Sequence, residues 1–548
     1  MIEEGDFTCE KNVLTGKRGN DYTFDISLSI NKMISQISYS NYSLEEYVNE
    51  SNQTRNNKIT FHNVMYSTSV TLEVVNAYKI KYVTEDLNIE EYTKQNHTRI
   101  NTKNDYNTFQ KPGFSLLGWE NNGEIVSLGS RVSIDKNKDL ELHGIYEKNT
   151  EKTLFQYEKV DSNRIKINGY LGNESKVIIP DKIDDVNVVS ISQNAFNDKH
   201  FELVSLPHTI NEIKDNAFNN CKIDNLVFFD NLMTVTNESF NNTVVKKVRI
   251  NASQKPAYMH SFYASYADKY DRLLSLKDKK KIILYAGSST RFGFDSEQID
   301  ISFPEYDVVN MGVFAYTQSY TQLDIIKNLT KKDDVMVITP EFDAIEYQIS
   351  LKPTIEWSFI ALCEANYDIL STLDLSKYSN FFSSFKEYQN NRKDLLRYEY
   401  DDSPSFYDED GNRVTSSYNT YGDYIVYRKN NEKRVNFGIK RAFYNKKYFL
   451  EEDINSFNQE MNSLKESGIK VFYDYSPRMD TSISSDSNQT TIKELGEYLE
   501  ESINVNFIST IDESLMDPLY FHGTDNHLST EGVKIRTNRV ISRLLHRI

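Results

Sequence analysis

Cysteine is scarce in this chain of 548 residues, which contains only Cys9, Cys221 and Cys363. Three cysteines so far apart, and odd in number, define neither a disulfide framework nor the close ligand spacing of a zinc site. Long apolar runs are also lacking, because no run reaches the ~18 residues that a transmembrane helix needs. No signal peptide is visible at the start of the chain, and we expect one to have been removed from a secreted protein.

Positive charge is in deficit. Lys and Arg total 63 against 80 Asp and Glu, which gives a formal net charge of −17. This balance argues against nucleic acid and against anionic membrane surfaces as partners. Walker A, dinucleotide-binding and HExxH motifs are absent, so the sequence predicts neither a cofactor nor a metal. The chain is too long for one hydrophobic core, and we expect a multidomain protein.

The first 148 residues have the alternating pattern of β-strands. Short alternating runs such as Tyr22–Leu28 predict an all-β module over residues 1–78. In residues 79–148, a Pro-Gly-Phe motif at 112–114 and a Leu-Gly-Trp motif at 117–119 precede another strand. These motifs resemble the Listeria–Bacteroides repeat, which implies a β-grasp module. An unrelated β module with a Trp in its core remains the alternative.

A repeat occupies residues 149–255. Phe196, Phe218 and Phe240 recur at a spacing of 22 residues, and two aliphatic positions follow the same period. A shared period of this length predicts a solenoid in which each turn stacks on the next, with the three phenylalanines in one buried ladder. The pattern resembles the BspA-type leucine-rich repeat. The solenoid would be either a binding surface or a rigid spacer.

Strands and helices alternate in residues 256–548, which predicts an α/β domain with a parallel sheet. Four strands are expected, at Ile282–Leu284, Asp307–Gly312, Asp334–Pro340 and Gly468–Asp474. Helices are expected near residues 256–270, 318–329, 454–464, 492–499 and 532–545. Residues 352–440, rich in Tyr, Asn and Asp, are interpreted as an insertion that forms a lid or a substrate wall.

Two short motifs in this domain carry possible chemistry. Gly287-Ser288-Ser289 follows the first apolar strand, and His527 lies near the C-terminus in Gly523-Thr524-Asp525-Asn526-His527. A serine hydroxyl is a weak nucleophile and needs an imidazole to take its proton. A serine that opens a helix also has backbone N–H groups nearby that can stabilise an oxyanion.

These motifs resemble those of the SGNH/GDSL hydrolases, nearest to their DltD-like, cell-surface branch. The resemblance implies Ser289 as the nucleophile, with Ser288 in place of the family's Asp, and His527 as the base. Asp525 would orient His527, although it lies two residues before the histidine where the family has three. The N–H groups of Ser289 and Gly312 would form the oxyanion hole.

One family feature is missing. The third block of the family supplies an Asn to the oxyanion hole, but the corresponding strand here ends in Pro340-Glu341-Phe342-Asp343. Glu341 and Asp343 are candidate ligands for a cation or a sugar hydroxyl, and a carboxylate satisfied by its own neighbours is the favoured interpretation.

The resemblance implies a secreted bacterial surface protein whose last domain is a serine esterase or acyltransferase. The expected substrates are O-acyl groups, chiefly O-acetyl, on a cell-envelope or host glycan or cell-wall polymer. A protein or glycan would bind the leucine-rich repeats. The alternative is a surface adhesin whose SGNH-like domain is a scaffold without catalysis.

Overall fold

The structure is a computed structural model that describes residues 7–9, 17–28, 32–39, 47–49, 56–64, 70–94, 99–134, 139–254, 257, 262–314, 319–342, 349–395, 417–433 and 442–548. The chain forms two compact units. The first comprises Met1–Thr150 with Asn251–Ser253, and the second comprises Glu151–Ile250 with Gln254–Ile548.

The described part of the first unit is built from strands. They are β1 (Phe7–Cys9), β2 (Asn20–Leu28), β3 (Lys32–Tyr39), β4 (Tyr47–Asn49), β5 (Asn56–Val64), β6 (Val70–Val83), β7 (Asn88–Lys94), β8 (Arg99–Asn101), β9 (Phe114–Asn121), β10 (Glu124–Val126), β11 (Arg131–Ser133) and β12 (Leu140–Lys148).

These strands form one sheet in the order β1-β2-β5-β4, a second in the order β10-β9-β12-β6-β3 with β7 beside β6, and a β8–β11 pair. The long strand β6 pairs with β3 at its start and with β12 at its end. It therefore runs across the boundary that the sequence predicted between residues 78 and 79. The two predicted modules share this strand because its alternating pattern continues without a turn signal.

Trp119 forms the core of the second sheet. Its side chain is fully buried, and its ring meets Tyr82 and Phe109 edge-on at centroid distances of 4.9 and 4.8 Å. The indole N–H donates to the Lys103 carbonyl at 3.0 Å, so the polar atom of the ring is satisfied. The β-grasp assignment of this region stays a prediction.

The solenoid begins the second unit. Its strands are β13 (Phe155–Lys159), β14 (Arg164–Tyr170), β15 (Lys176–Ile178), β16 (Lys182–Ile183), β17 (Val186–Ile191), β18 (Phe196–Asn197), β19 (His200–Ser205), β20 (Glu212–Ile213), β21 (Phe218–Asn219), β22 (Lys222–Phe229) and β23 (Val244–Asn251).

The phenylalanine ladder is confirmed. Phe196 and Phe218 stack at a centroid distance of 4.8 Å, and Phe218 and Phe240 stack at 5.2 Å. All three side chains are buried. The side chains at the two other repeated apolar positions are buried as well: Ile191, Ile213 and Val235 at one, and Leu206, Phe228 and Ile250 at the other. Each turn thus buries the same apolar side chains against the next turn.

The α/β domain follows, with strands β24 (Lys281–Tyr285), β25 (Asp307–Asn310), β26 (Val335–Ile338), β27 (Lys470–Tyr473), β28 (Arg478–Met479), β29 (Asn506–Phe507) and β30 (Leu515–Met516). Its α-helices are α1 (Ser265–Ser275), α2 (Ser288–Arg291), α3 (Ser296–Ser302), α4 (Ser319–Lys327), α5 (Trp357–Leu362), α6 (Asp368–Ser371), α7 (Phe381–Leu395), α8 (Glu451–Glu466), α9 (Gln489–Ser502), α10 (Ile511–Ser514) and α11 (Thr530–Leu544). Single 3₁₀ turns occur at Lys152–Leu154, Asn237–Phe240, Phe262–Ala264, Leu375–Lys377, Lys446–Tyr448 and Pro518–Tyr520.

The main sheet of this domain has the order β25-β24-β26-β27-β29, and all neighbours are parallel. The predicted strands are present, and β29 adds a fifth that the sequence analysis missed. The predicted helices correspond to α1, α4, α8, α9 and α11 with shifted ends, while Tyr258 and Gln318 lie outside the described residues. The strand order reverses direction beside β24, and such a switch point opens a crevice at the carboxyl ends of the strands.

The described parts of the predicted insertion have two roles. Helix α7 covers the last turn of the solenoid, where Phe382 stacks on Phe240 at a centroid distance of 4.0 Å. Asn237 Oδ1 accepts from the Ser383 N–H at 3.0 Å, which fixes the same contact. This part is therefore a cap on the solenoid and not the predicted lid or substrate wall. Residues 417–433 instead lie beside α2, while 396–416 and 434–441 fall outside the described residues.

Candidate active site

The candidate serine and histidine meet at the carboxyl end of β24. The strand ends at Tyr285, and α2 begins at Ser288 after the N-cap Gly287. The Oγ of Ser288 lies 2.9 Å from Nε2 of His527. This is a hydrogen-bond distance, and it joins two residues 239 positions apart in the chain.

The serine in this pair is Ser288, and the sequence prediction had named Ser289. Ser289 Oγ lies 2.8 Å from Glu341 Oε1 and 3.3 Å from Ser476 Oγ. The reason is local geometry, because successive residues at a helix start point about 100° apart. Ser288 faces the C-terminal loop that carries His527, whereas Ser289 faces the end of β26. The candidate nucleophile is therefore Ser288.

The loop that carries His527 is fixed by its own backbone. The His527 N–H donates to Thr524 Oγ1 at 3.0 Å, and its carbonyl accepts from the His522 N–H at 3.0 Å. Beneath the loop, Leu528 belongs to a buried cluster with Met479, Met516, Phe521 and Val533. His522 is exposed, and its Nδ1 contacts the Lys429 carbonyl, so it takes no part in the pair with Ser288.

The imidazole of His527 sits in an apolar and electropositive environment. Its ring packs on Phe292 at a centroid distance of 4.2 Å. Burial, and then the positive charges of Arg291, Arg428 and Arg478, lower the pKa of His527 to about 3. The ring is therefore neutral near pH 7, and Nε2 can accept the hydrogen of the Ser288 hydroxyl. A pKa so low also makes the imidazole a weak base.

Asp525 does not orient His527. Its Oδ1 lies 3.2 Å from the Arg478 guanidinium, with which it forms an ion pair. Its backbone carbonyl accepts from the Met479 N–H at 2.9 Å, which holds the residue against β28. Among the residues that the structure describes, none accepts a hydrogen bond from the Nδ1 of His527. The predicted triad is thus reduced to a Ser288–His527 dyad, because the two-residue spacing directs the carboxylate away from the ring.

The two predicted oxyanion donors already have acceptors. The Ser289 N–H donates to Glu341 Oε1 at 2.7 Å. The Gly312 N–H donates to the side chain of Asn310 at 2.8 Å. Gly312 does need to be glycine, since a Cβ there would lie 2.3 Å from the Arg291 backbone nitrogen. Glycine is therefore needed because Gly312 packs closely against the backbone of α2. Its N–H is directed at Asn310 and not at Ser288.

Glu341 and Asn526 are site residues to which the sequence analysis gave no catalytic role. The Glu341 carboxylate is only 2% exposed, and its Oε2 accepts from Asn526 Nδ2 at 2.9 Å. The same Nδ2 lies 3.5 Å from Ser288 Oγ. Asn526 stands between Asp525 and His527 in the sequence. A side-chain amide next to the predicted base is a pattern from which its place in the site could have been predicted. Asp343 lies outside the described residues.

Buried ion pairs hold the crevice together. Arg536 of α11 donates to Asp474 Oδ2 at the end of β27, at 2.7 Å, and neither side chain is exposed. Its other guanidinium nitrogen donates to the Ser289 carbonyl at 2.8 Å. Arg428 bridges the end of α2 and the loop that carries His527. Its guanidinium donates to the carbonyl of Phe292, just after α2, and to the carbonyl of Leu528, next to His527. Together, the ion pair and these hydrogen bonds to backbone carbonyls fix the positions of α2 and of the loop that carries His527.

No group of three or more His, Cys, Asp or Glu side chains that could hold a metal ion occurs in the described part of the chain. No described helix is long and apolar enough to cross a membrane.

The comparisons with known proteins concern the solenoid. Residues 183–275 match six copies of the BspA type leucine rich repeat region. This confirms the predicted repeat class in that part of the chain. BspA-type repeats are typical of bacterial surface proteins and favour a binding role. The match covers well under half of the chain and does not reach the Ser288–His527 pair.

One solved structure similar to this chain is the crystal structure of a T. pallidum leucine rich repeat protein. It is 18% identical, and the match covers 25% of this chain and 61% of that chain, with a TM-score of 0.13. So low a TM-score supports no conclusion about fold or function. No curated protein matches the chain.

Proposed function

We propose that this chain is a bacterial surface protein that combines binding repeats with a serine ester hydrolase or acyltransferase of the SGNH type. The repeats would bind a protein or a glycan. The α/β domain would act on O-acyl groups of a cell-envelope or host glycan, with Ser288 as the nucleophile and His527 as the base. The observation that carries the proposal is the 2.9 Å contact between Ser288 Oγ and His527 Nε2 at the strand ends.

Three features of the site support a nucleophilic role for Ser288. The serine opens a helix directly after a buried parallel strand, where sites of open α/β sheets form. A neutral imidazole lies within hydrogen-bond reach of the hydroxyl, as a proton acceptor must. The carbonyl of the next residue, Ser289, is held by the buried Arg536, so the turn is rigid. Rigid placement of the reacting groups lowers the entropic part of the barrier.

The test is ester hydrolysis by the full chain on a panel of short acyl esters, with Ser288→Ala compared with Ser289→Ala. We expect Ser288→Ala to lower the rate by a factor on the order of 10⁴–10⁶, as loss of a catalytic serine does. Ser289→Ala should keep most of the activity because its hydroxyl does not contact His527. A serine-directed fluorophosphonate should label the wild type and Ser289→Ala but not Ser288→Ala.

The opposite pattern, with Ser288→Ala active and Ser289→Ala inactive, would restore Ser289 as the nucleophile. The hydrolase proposal would be rejected if neither the wild type nor any variant hydrolysed an ester or reacted with the fluorophosphonate. The variants to be tested include Glu341→Ala, since Glu341 lies 3.5 Å from Ser288 Oγ.

A surface adhesin with a non-catalytic α/β scaffold is the second candidate. Ser288 is only 4% exposed, so a substrate has little access to its hydroxyl in this conformation. The low pKa of His527 and the pairing of Asp525 with Arg478 also favour this candidate. Binding of envelope or host glycans that survives Ser288→Ala unchanged, together with no ester hydrolysis, would support the adhesin.

A further inference from the structure

The Glu341 carboxylate lies at the centre of a set of hydrogen-bond donors. Its Oε1 accepts from the Ser289 N–H at 2.7 Å and the Ser289 hydroxyl at 2.8 Å, and its Oε2 accepts from Asn526 Nδ2 at 2.9 Å. Its Oε1 lies 3.5 Å from Ser288 Oγ. A carboxylate is therefore held next to the candidate nucleophile, with a backbone N–H on one of its oxygens and a side-chain amide on the other.

Such a set of donors has the chemistry of an oxyanion hole. Donors that stabilise a tetrahedral intermediate must point at the position of the developing O⁻, close to the attacking oxygen. Reacting atoms approach to about 3–3.5 Å before attack. An acyl carbonyl group that displaced the carboxylate would place its oxygen between the Ser289 N–H and Asn526 Nδ2, in the space that the two carboxylate oxygens now fill.

We propose that Glu341 occupies the oxyanion position of the site, and that Asn526 Nδ2 and the Ser289 N–H become the oxyanion donors once its carboxylate moves out. This inference rests on the proposed hydrolase function for its catalytic part. In the SGNH hydrolases that the sequence resembles, an Asn that follows the strand corresponding to β26 supplies the side-chain donor. Here Glu341 follows that strand, and Asn526 of the C-terminal loop would supply the donor in its place. The Glu341 carboxylate also makes the resting protein self-inhibited, since a neutral ester carbonyl competes poorly with a carboxylate for these donors.

The chemical step balances with these groups. Ser288 Oγ forms a bond to the acyl carbon, its proton passes to His527 Nε2, and the carbonyl π electrons move to the oxygen. That oxygen then carries the negative charge and accepts from Asn526 and the Ser289 N–H. When the intermediate collapses, the alcohol leaves and takes the proton from His527.

The charges around the site agree with an anion position. Arg291, Arg428 and Arg478 all contribute positive potential at His527. The same positive charges would stabilise an oxyanion that forms beside His527 during the reaction.

The first experiment replaces Glu341 and measures ester hydrolysis by the full chain. We expect Glu341→Ala to raise kcat/KM by ~10-fold or more, because the fraction of molecules competent for catalysis increases. Glu341→Gln keeps the volume of the side chain in place and should raise it less. Glu466→Ala, which removes an exposed carboxylate far along α8, is the control for the change of net charge and should match the wild type.

The second experiment probes the anion position without catalysis. Acetate should raise the melting temperature of Glu341→Ala in a concentration-dependent way, and should inhibit that variant, but should do neither to the wild type. In the Glu341→Ala background, Asn526→Ala should abolish acetate binding and lower kcat by about 10²–10³-fold, the usual effect of losing one oxyanion donor.

The outcomes separate this inference from the proposed function. If the wild type hydrolyses esters and a folded Glu341→Ala is equally or less active and does not bind acetate, the inference is wrong and the hydrolase stands. If Glu341→Ala binds acetate through Asn526 but neither hydrolyses esters nor reacts with a fluorophosphonate, the anion position stands and the hydrolase is wrong.

Discussion

The solenoid and the candidate active site both depend on contacts between residues far apart in the chain, but the contacts differ in kind. In the solenoid, each phenylalanine of the ladder contacts its own counterpart 22 residues away, and the ladder is apolar throughout. In the site, the contacts are polar and none of them repeats along the chain, as in the buried Arg536–Asp474 pair. Repeated apolar contacts supply stability, whereas unique polar contacts supply orientation. Substitutions should therefore separate the two regions, with effects on the melting temperature in one and on the reaction rate in the other.

If the domain is the proposed hydrolase, the largest effect on rate after loss of Ser288 should come from loss of His527, the proposed base. We expect His527→Ala to lower kcat by about 10²–10⁴-fold, the usual contribution of proton transfer. Asp525→Asn should change kcat little, because Asp525 contacts Arg478 and not the imidazole. Both variants should be assayed on the same ester. An equal loss in the two would show that Asp525 is a full member of a triad.

The largest effect on stability should come from the middle of the ladder. Phe218→Ala removes a fully buried ring with a stacked neighbour on each side and should lower the free energy of unfolding by about 3–5 kcal/mol. Thermal and denaturant unfolding would measure the loss, and the rate of ester hydrolysis at 25 °C should stay near that of the wild type. A rate that falls with stability still intact would contradict the separation of the two regions.

A smaller effect is expected where the solenoid meets its cap. Phe382→Leu keeps most of the apolar area but loses the ring that stacks on Phe240 at 4.0 Å. The expected loss is about 0.5–1.5 kcal/mol, the contribution of an aromatic pair beyond its buried area. Phe303→Leu, at a phenylalanine of the α/β domain that is buried to the same degree but stacks on no described ring, is a matched control for the substitution itself. An identical loss of stability at both positions would show that the stacked contact adds nothing.

The smallest effect should be that of a change of pH near neutrality on the charge of His527. His527 has a pKa of about 3 in the folded protein against an ordinary value of 6.5, so its ring should not titrate between pH 5 and 8. Because protonation favours the unfolded chain, the contribution of His527 to stability is complete above pH 6.5 and falls as the pH drops towards 3. Histidine NMR spectra, assigned with His527→Gln, would test this. A midpoint near 6.5 for His527 would contradict the buried environment.

The ladder could be predicted from the sequence because it depends on periodicity alone. A spacing of 22 residues places Phe196, Phe218 and Phe240 in equivalent positions whatever the details of each turn. The strands of the parallel sheet were also predictable, since continuous apolar runs such as Ile282–Leu284 mark strands buried on both faces. Strand β29, with two residues, is too short to leave such a pattern.

The orientation of side chains in turns could not be predicted in the same way. Ser288 and Ser289 are chemically identical, and the choice between them depends on where α2 begins. The pairing of Asp525 with Arg478 depends on the path of a loop that no local pattern determines. Helix α7 escaped prediction because its buried face consists of aromatic residues in a segment otherwise rich in polar ones.

The stacking of Phe382 on Phe240 also has a consequence for how such genes can recombine. A protein that ended with the last repeat strand would leave one face of the Phe240 ring open to water, and Asn237 would lose its contact with Ser383. Joining these repeats to a different downstream domain would therefore require the new partner to bring its own equivalent of α7. Duplication of an internal repeat would leave this junction intact. Repeat number can thus change by whole units without exposing Phe240, whereas a change of the domain after the last repeat needs a replacement for α7.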